Sequence, residues 1–89
     1  MLKLKPTKQA IKFINQLPPK QYKQIIRTTL SLLENPLPHD SQSLKGYDEL
    51  RRVDIGEYRI IYQVEGDTVI IALIGKRNDD DVYKKLNRK

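Results

Sequence analysis

"LRRVDIGEYRIIYQV", residues 50–64, carries the strongest structural pattern in the chain. Val53 and Ile55 alternate with Arg52 and Asp54. After Gly56 the period of two resumes, with Tyr58, Ile60, Tyr62 and Val64 set against Glu57, Arg59, Ile61 and Gln63. Residues two apart along a strand share a face, so the stretch reads as a hairpin of two half-buried strands. Two registers fit it. A loop at Ile55-Gly56 pairs Arg52 with Arg59, whereas a loop at Gly56-Glu57 pairs Asp54 with Arg59. In both, Arg52, Asp54, Glu57 and Arg59 share one face, and Val53, Ile55, Tyr58, Ile60 and Tyr62 share the other. The apolar set belongs under helices, which leaves Arg59 near the middle of the uncovered face.

Upstream, "LKLK" at residues 2–5 alternates like a short first strand and stops at Pro6. Thr7 is a cap for a helix carrying Ala10, Phe13, Ile14 and Leu17 at helical spacing. Pro18 and Pro19 end that helix and open a second over Lys20 to Glu34, with Tyr22, Ile25, Ile26, Thr29, Leu32 and Leu33 as its apolar stripe. Residues 35–48, "NPLPHDSQSLKGYD", read as a loop. Downstream, Gly66-Asp67 introduces a third strand, "TVIIALI", by another short turn. The closing "NDDDVYKKLNRK" sets Val82, Tyr83 and Leu86 on one side of a short helix. Asp79 to Asp81 suit the start of its dipole, and Lys84, Lys85, Arg88 and Lys89 suit its end. Helices and strands fall in separate blocks, which predicts an α+β fold in a single domain over residues 1–89. Its expected parts are a short N-terminal strand, two antiparallel helices on one face of a small antiparallel sheet, and a short C-terminal helix. The opposite face is left for solvent, a partner or a substrate.

The 89 residues contain no Cys and one His, which excludes disulfides, Cys-based zinc sites and His clusters. The opening "MLKLKPTKQA" lacks the apolar core of a signal peptide, and no stretch reaches the roughly 18 apolar residues of a membrane span. A soluble cytoplasmic protein is the expectation. Seventeen Lys and Arg against eleven Asp and Glu give a net charge of +6, which suits nucleic acid, the ribosome surface or an acidic protein.

The third strand runs into "IGKRNDDDVY", residues 74–83, bringing Arg77 toward the Gly56 end of the hairpin, with Tyr83 six residues beyond. Arg52, Arg59, Arg77 and a phenol on one concave face suit a phosphodiester, because guanidiniums grip phosphate oxygens in pairs and Tyr stacks on a base or exchanges a proton. The plainer reading is that Arg52 and Arg59 pair with Asp54 and Glu57 as solvated cross-strand salt bridges. His39 reads as an ordinary exposed loop residue, and the Asp run as helix capping rather than a magnesium site. Tyr22, Tyr58 and Tyr62 read as core residues. Lys8, Lys12, Lys20 and Lys23 form a solvated face or a contact to ribosomal RNA.

"LKG" at 44–46, "LRRVDIGEYRIIYQV" at 50–64 and "GKRNDDDVY" at 75–83 together resemble the RelE branch of the RelE/ParE superfamily, the toxins of type II toxin–antitoxin modules. The resemblance covers essentially the whole chain. It implies a ribosome-dependent mRNA endonuclease that cuts the A-site codon without metal or other cofactor, the message's own 2′-hydroxyl attacking the adjacent phosphate. By motif, Arg59 matches the arginine that binds the scissile phosphate, and Arg77 the one that stabilises the transition state or protonates the leaving group. Tyr83 matches the tyrosine that stacks or helps activate the 2′-hydroxyl, and Arg52 a functional basic residue. Lys45, Arg51, Lys76 and Lys84 are the flanking cations expected to contact RNA. The implied partners are the ribosomal 30S A site with its mRNA and an acidic antitoxin that wraps the toxin, blocks the open face or terminal helix, and carries the complex to its own operator.

Asp54 departs from the family pattern, which has a second basic residue there. An attenuated enzyme, a basic residue supplied from Lys45 or Lys76, and a shifted hairpin all accommodate it. Two other functions stand beside the nuclease: a ParE-like inhibitor of DNA gyrase, and a degenerate binding module with the same fold.

Overall fold

The computed structural model describes residues 2–78 and 81–86. Along the chain these form β1 (Lys3–Pro6), α1 (Lys8–Asn15), α2 (Pro19–Glu34), β2 (Gln42–Leu44), β3 (Tyr47–Ile55), β4 (Tyr58–Glu65), β5 (Thr68–Lys76) and α3 (Asp81–Leu86). Local chemistry sets most of the boundaries. The Thr7 hydroxyl accepts the Ala10 N–H at the start of α1, and Pro19 opens α2, where its missing N–H costs nothing. Gly56 sits at φ +57°, a conformation that favours glycine, and allows the tight Gly56-Glu57 turn between β3 and β4. The second of the two registers is therefore the real one: Ile55 faces Tyr58 and Asp54 faces Arg59. The charges expected on Asp79 and Asp80, and on Arg88 and Lys89, lie outside the described residues.

The five strands form one sheet in the order β1-β5-β4-β3-β2. Two features correct the sequence reading. The sheet is mixed, because β1 runs parallel to β5 with Lys3 opposite Thr68 and Pro6 opposite Ile71. Part of the expected loop at 35–48 is the edge strand β2, which pairs Gln42 with Arg52 and Ser43 with Arg51. Three residues are too few to carry an alternation, so this strand exists because β3 offers it a partner.

Helices α1 and α2 cover one face. Ala10, Ile14, Ile25, Leu32 and Leu33 pack there against Val53, Ile60, Tyr62, Val69, Ile71 and Ile74. Each such aliphatic side chain contributes roughly 1.5–3 kcal/mol on leaving water, so this layer dominates stability. The Tyr62 hydroxyl donates to the Pro36 carbonyl at 2.7 Å and ties the α2–β2 connection to the core. Tyr22 is a correction of another kind: it is 40% exposed rather than core.

A bulge in β5 makes both faces apolar. Ile61 opposes Leu73 while Tyr62 opposes Ile71, so Ala72 is the extra residue. Ile71 and Ile74 thereby both face the helices, and Leu73 turns to the opposite side. There Leu44, Leu50, Ile61, Leu73 and Val82 form a second core with Tyr47, Tyr83 and Leu86 against it. The face expected to be open is thus partly closed by α3 and β2. Lys85 fastens α3 from its far side, donating to the Ile74 carbonyl at 3.3 Å with its ammonium 4.7 Å from the Phe13 ring centroid. Beyond Pro6 the edge of β5 is finished by side chains. Gln9 both donates to and accepts from the Ile74 backbone, and Thr7 donates to Ala72.

Candidate functional site

What remains of that second face is an arginine cluster at the Gly56 end of the hairpin. The Gly56-Glu57 turn sets Asp54 directly across from Arg59, and β4 passes Arg59 alongside Gly75 of β5. Arg77 follows β5 and is turned back by its N–H, which donates to the Glu57 carbonyl at 2.9 Å. Arg52 stands two residues before Asp54 on the same face of β3.

One carboxylate lies at the centre. Arg59 donates through Nε to Asp54 Oδ1 at 2.7 Å and through Nη2 to Oδ2 at 3.3 Å, a two-pronged grip. Arg77 Nε lies 3.6 Å and Arg52 Nη1 3.7 Å from the same Oδ2. Arg52 and Arg77 also have neutral acceptors. Arg52 donates to Gln42 Oε1 at 2.7 Å, and Arg77 donates to the Gly56 carbonyl at 3.1 Å. Exposure rises from 12% of the Arg59 side chain through 25% for Arg52 to 50% for Arg77, so the cluster opens to solvent from a nearly buried base. Burial pushes the Asp54 carboxyl up. The Arg59 hydrogen bond and the charges of Arg59, Arg52 and Arg77 outweigh it and hold the group below the usual carboxylate range.

Tyr83 has no described contact to the cluster. It is half-buried in the second core, whose Ile61 follows Arg59 by two residues on the same face of β4, about 7 Å along the strand. The flanking cations scatter. Arg51 pairs across from Tyr62, which turns it to the helix-covered side, where it donates to Ser41 and Ser43. Lys76 pairs across from Tyr58 and shares that side. Lys45 is exposed in the turn before Tyr47, and Tyr47 itself lies seven residues, or about 23 Å, along β3 from Asp54. Lys84 is exposed on α3. Neither Lys45 nor Lys76 is placed to substitute for a base at position 54.

Gln42 is the member of the site that the sequence did not suggest, because it lies on the strand that only pairing reveals. Asp54 was visible as an oddity, but its role as hub needed Arg77, which arrives from another strand. Among the described residues no group of His, Cys, Asp and Glu is arranged to hold a metal ion, and no helix is long and apolar enough to cross a membrane.

Comparison with known proteins agrees with this architecture. The family model described as "ParE toxin of type II toxin-antitoxin system, parDE" matches residues 4–81. A protein of Methanocaldococcus jannaschii named "Putative toxin RelE1" is 37% identical over 83 residues, spanning 86% of this chain and 89% of that protein. A chain of the archaeal RelE-RelB complex from Pyrococcus horikoshii superposes with a TM-score of 0.77 at 27% identity, covering 88% of this chain and 97% of that one. The isolated RelE toxin of Escherichia coli shares the fold, with a TM-score of 0.76 at 22% identity over 99% of this chain and 97% of its own.

Proposed function

The chain belongs to the RelE/ParE superfamily of toxins from type II toxin–antitoxin systems, and from that premise we propose that it is a ribosome-dependent mRNA endonuclease. The observation that carries the reading is the convergence of Arg52, Arg59 and Arg77 on one carboxylate-sized anion position. A phosphodiester presents two equivalent oxygens much as a carboxylate does, and Arg59 is already aligned for a two-pronged grip.

In this mechanism the message's 2′-hydroxyl attacks the adjacent phosphorus, and the 5′-oxygen leaves with a proton. The products are a 2′,3′-cyclic phosphate and a 5′-hydroxyl. Arg59 holds the non-bridging oxygens and stabilises the charge that grows on them. Arg77, the most exposed of the three, faces the solvent side from which the leaving oxygen departs. Tyr83 stacks on the exposed base or takes part in proton transfer. Nothing in such a site aligns the 2′-hydroxyl with the 5′-oxygen, so that alignment falls to the ribosome holding the codon, and positioning of this kind supplies much of the rate.

A cognate antitoxin is the natural partner. Its docking surface is the helix side rather than the arginine face, because the exposed apolar residues are there. Leu4, Ile11, Tyr22 and Leu30 are each more than one third exposed, and they line grooves that also hold Lys23 and Arg27, a setting for an amphipathic acidic segment.

Translating ribosomes incubated with and without the protein test the nuclease. Primer extension is expected to reveal new ends within A-site codons, with 5′-hydroxyls that polynucleotide kinase labels directly. Message that stays intact removes the proposal. The match to the ParE family model favours one second reading, inhibition of DNA gyrase. Loss of supercoiling with intact message would select it.

A further inference from the structure

We propose that Asp54 is an internal stand-in for phosphate: its carboxylate occupies the position an RNA phosphate takes, and RNA enters by exchange with it. That RNA is the natural occupant rests on the function proposed above; the occupancy of the anion position by Asp54 does not.

The geometry carries the inference in three steps. First, Asp54 faces three guanidiniums and Asp40 is the other carboxylate of the adjoining cleft, so the local balance is three positive charges against two negative. The site stays cationic while its most favourable anion position is filled. Second, Arg52 and Arg77 keep their places without Asp54, through Gln42 Oε1 at 2.7 Å and the Gly56 carbonyl at 3.1 Å. A phosphate displacing the carboxylate therefore meets two guanidiniums that are already arranged, and Arg59 trades its two bonds to Asp54 for bonds to the phosphate. Third, the carboxylate sits on a short side chain that is 33% exposed and borders a cleft lined by Asp40, Gln42 and Arg52. It can be reached by an incoming anion. A carboxylate whose purpose was only to brace Arg59 would need neither of the other two arginines within 4 Å.

The consequence is selectivity. A free anion has to outcompete a tethered carboxylate, so simple phosphate binds poorly. A codon held on the ribosome presents its phosphate at high effective concentration and can displace it. The device makes an exposed basic site indifferent to the abundant anions around it.

The test is inorganic phosphate titrated into the free protein, followed by the arginine side-chain N–H signals in NMR. Asp54→Asn keeps the shape and one acceptor while removing the charge. It is expected to tighten phosphate by about tenfold or more, as loss of one adjacent like charge implies. Asp67→Asn is the control: it makes the same change in net charge beside Lys3, outside the cluster, and is expected to alter phosphate binding less than about twofold. Asp54→Ser repeats the test should the Asn variant fold poorly.

Asp54 variants that bind phosphate no better than the parent overturn the proposal, as does an equal gain in Asp67→Asn. A merely structural Asp54 would give weaker binding, since its loss would scatter the arginines. The ribosome assay separates the two ideas. Cleavage by the parent with unchanged phosphate affinity in the Asp54 variants sinks the stand-in alone. Tightened phosphate with no cleavage by any of the proteins keeps the stand-in and sinks the nuclease.

Discussion

The side of the sheet under α1 and α2 is a continuous apolar layer, from Ala10 and Ile14 through Ile25 and Leu32 to Ile60, Tyr62 and Val69. The reverse side divides in two along the same strands: a small second core under α3, built on Ile61 and Leu73, and then the arginine cluster at the hairpin end. One side is committed to burial and the other tolerates three like charges within reach of one carboxylate. The difference teaches where this small domain can accommodate a functional site. Its stability comes from the helix-covered layer, so the reverse face can carry repulsive charge without unfolding the chain.

Changes on each face should therefore separate stability from activity. The largest expected effect is on the helix side: Ile25→Ala, at a fully buried position, should cost about 2–5 kcal/mol in urea unfolding. A much smaller loss would mean that the layer is not the main store of stability. On the reverse face, Arg59→Ala should lower ribosome-dependent cleavage about 100- to 1000-fold, the range for removing a donor to a developing oxyanion. Its urea midpoint should move less than that of Ile25→Ala. Cleavage that survives would place the chemistry elsewhere.

A smaller change sharpens the contrast within the helix layer. Tyr62→Phe keeps the ring and loses the bond to Pro36, so it should cost about 1 kcal/mol and leave cleavage unchanged. The least effect is expected from pH. Folding lowers the Asp54 pKa, so the cluster contributes stability above the unfolded carboxyl value of about 3.9 and loses it as pH falls through the lower folded value. The stability gap between parent and Asp54→Asn should therefore be widest near neutrality and should shrink from about pH 4 downward, read as urea midpoints across that range. A gap that ignores acid would mean that the carboxylate's charge does not hold the cluster.

Much of this was legible in residues close together in the chain. Thr7 before a 3.6-residue period, Pro18-Pro19 between two helices, and Gly56 and Gly66 between alternating runs each act through local geometry. The same alternation placed Arg52, Asp54 and Arg59 on one face. It failed where local pattern and long-range contact disagree. Tyr22 fits the apolar stripe of α2 but lies at its rim. The face expected to be open carries Ile61, an apolar residue among charges whose partners Leu73 and Val82 come from other elements.

The class of fold and the hairpin that carries the arginines can be read from the chain alone, because periodicity and turn chemistry operate over a few residues, and the motifs around them carry the resemblance to a toxin superfamily. Long-range packing was needed to set β1 parallel to β5, to create β2, to divide β5 between two cores by a bulge at Ala72, and to bring Arg77 to Asp54 beside its neighbours. Those features depend on contacts between residues up to 65 positions apart, whose energies appear only when the chain has brought them together.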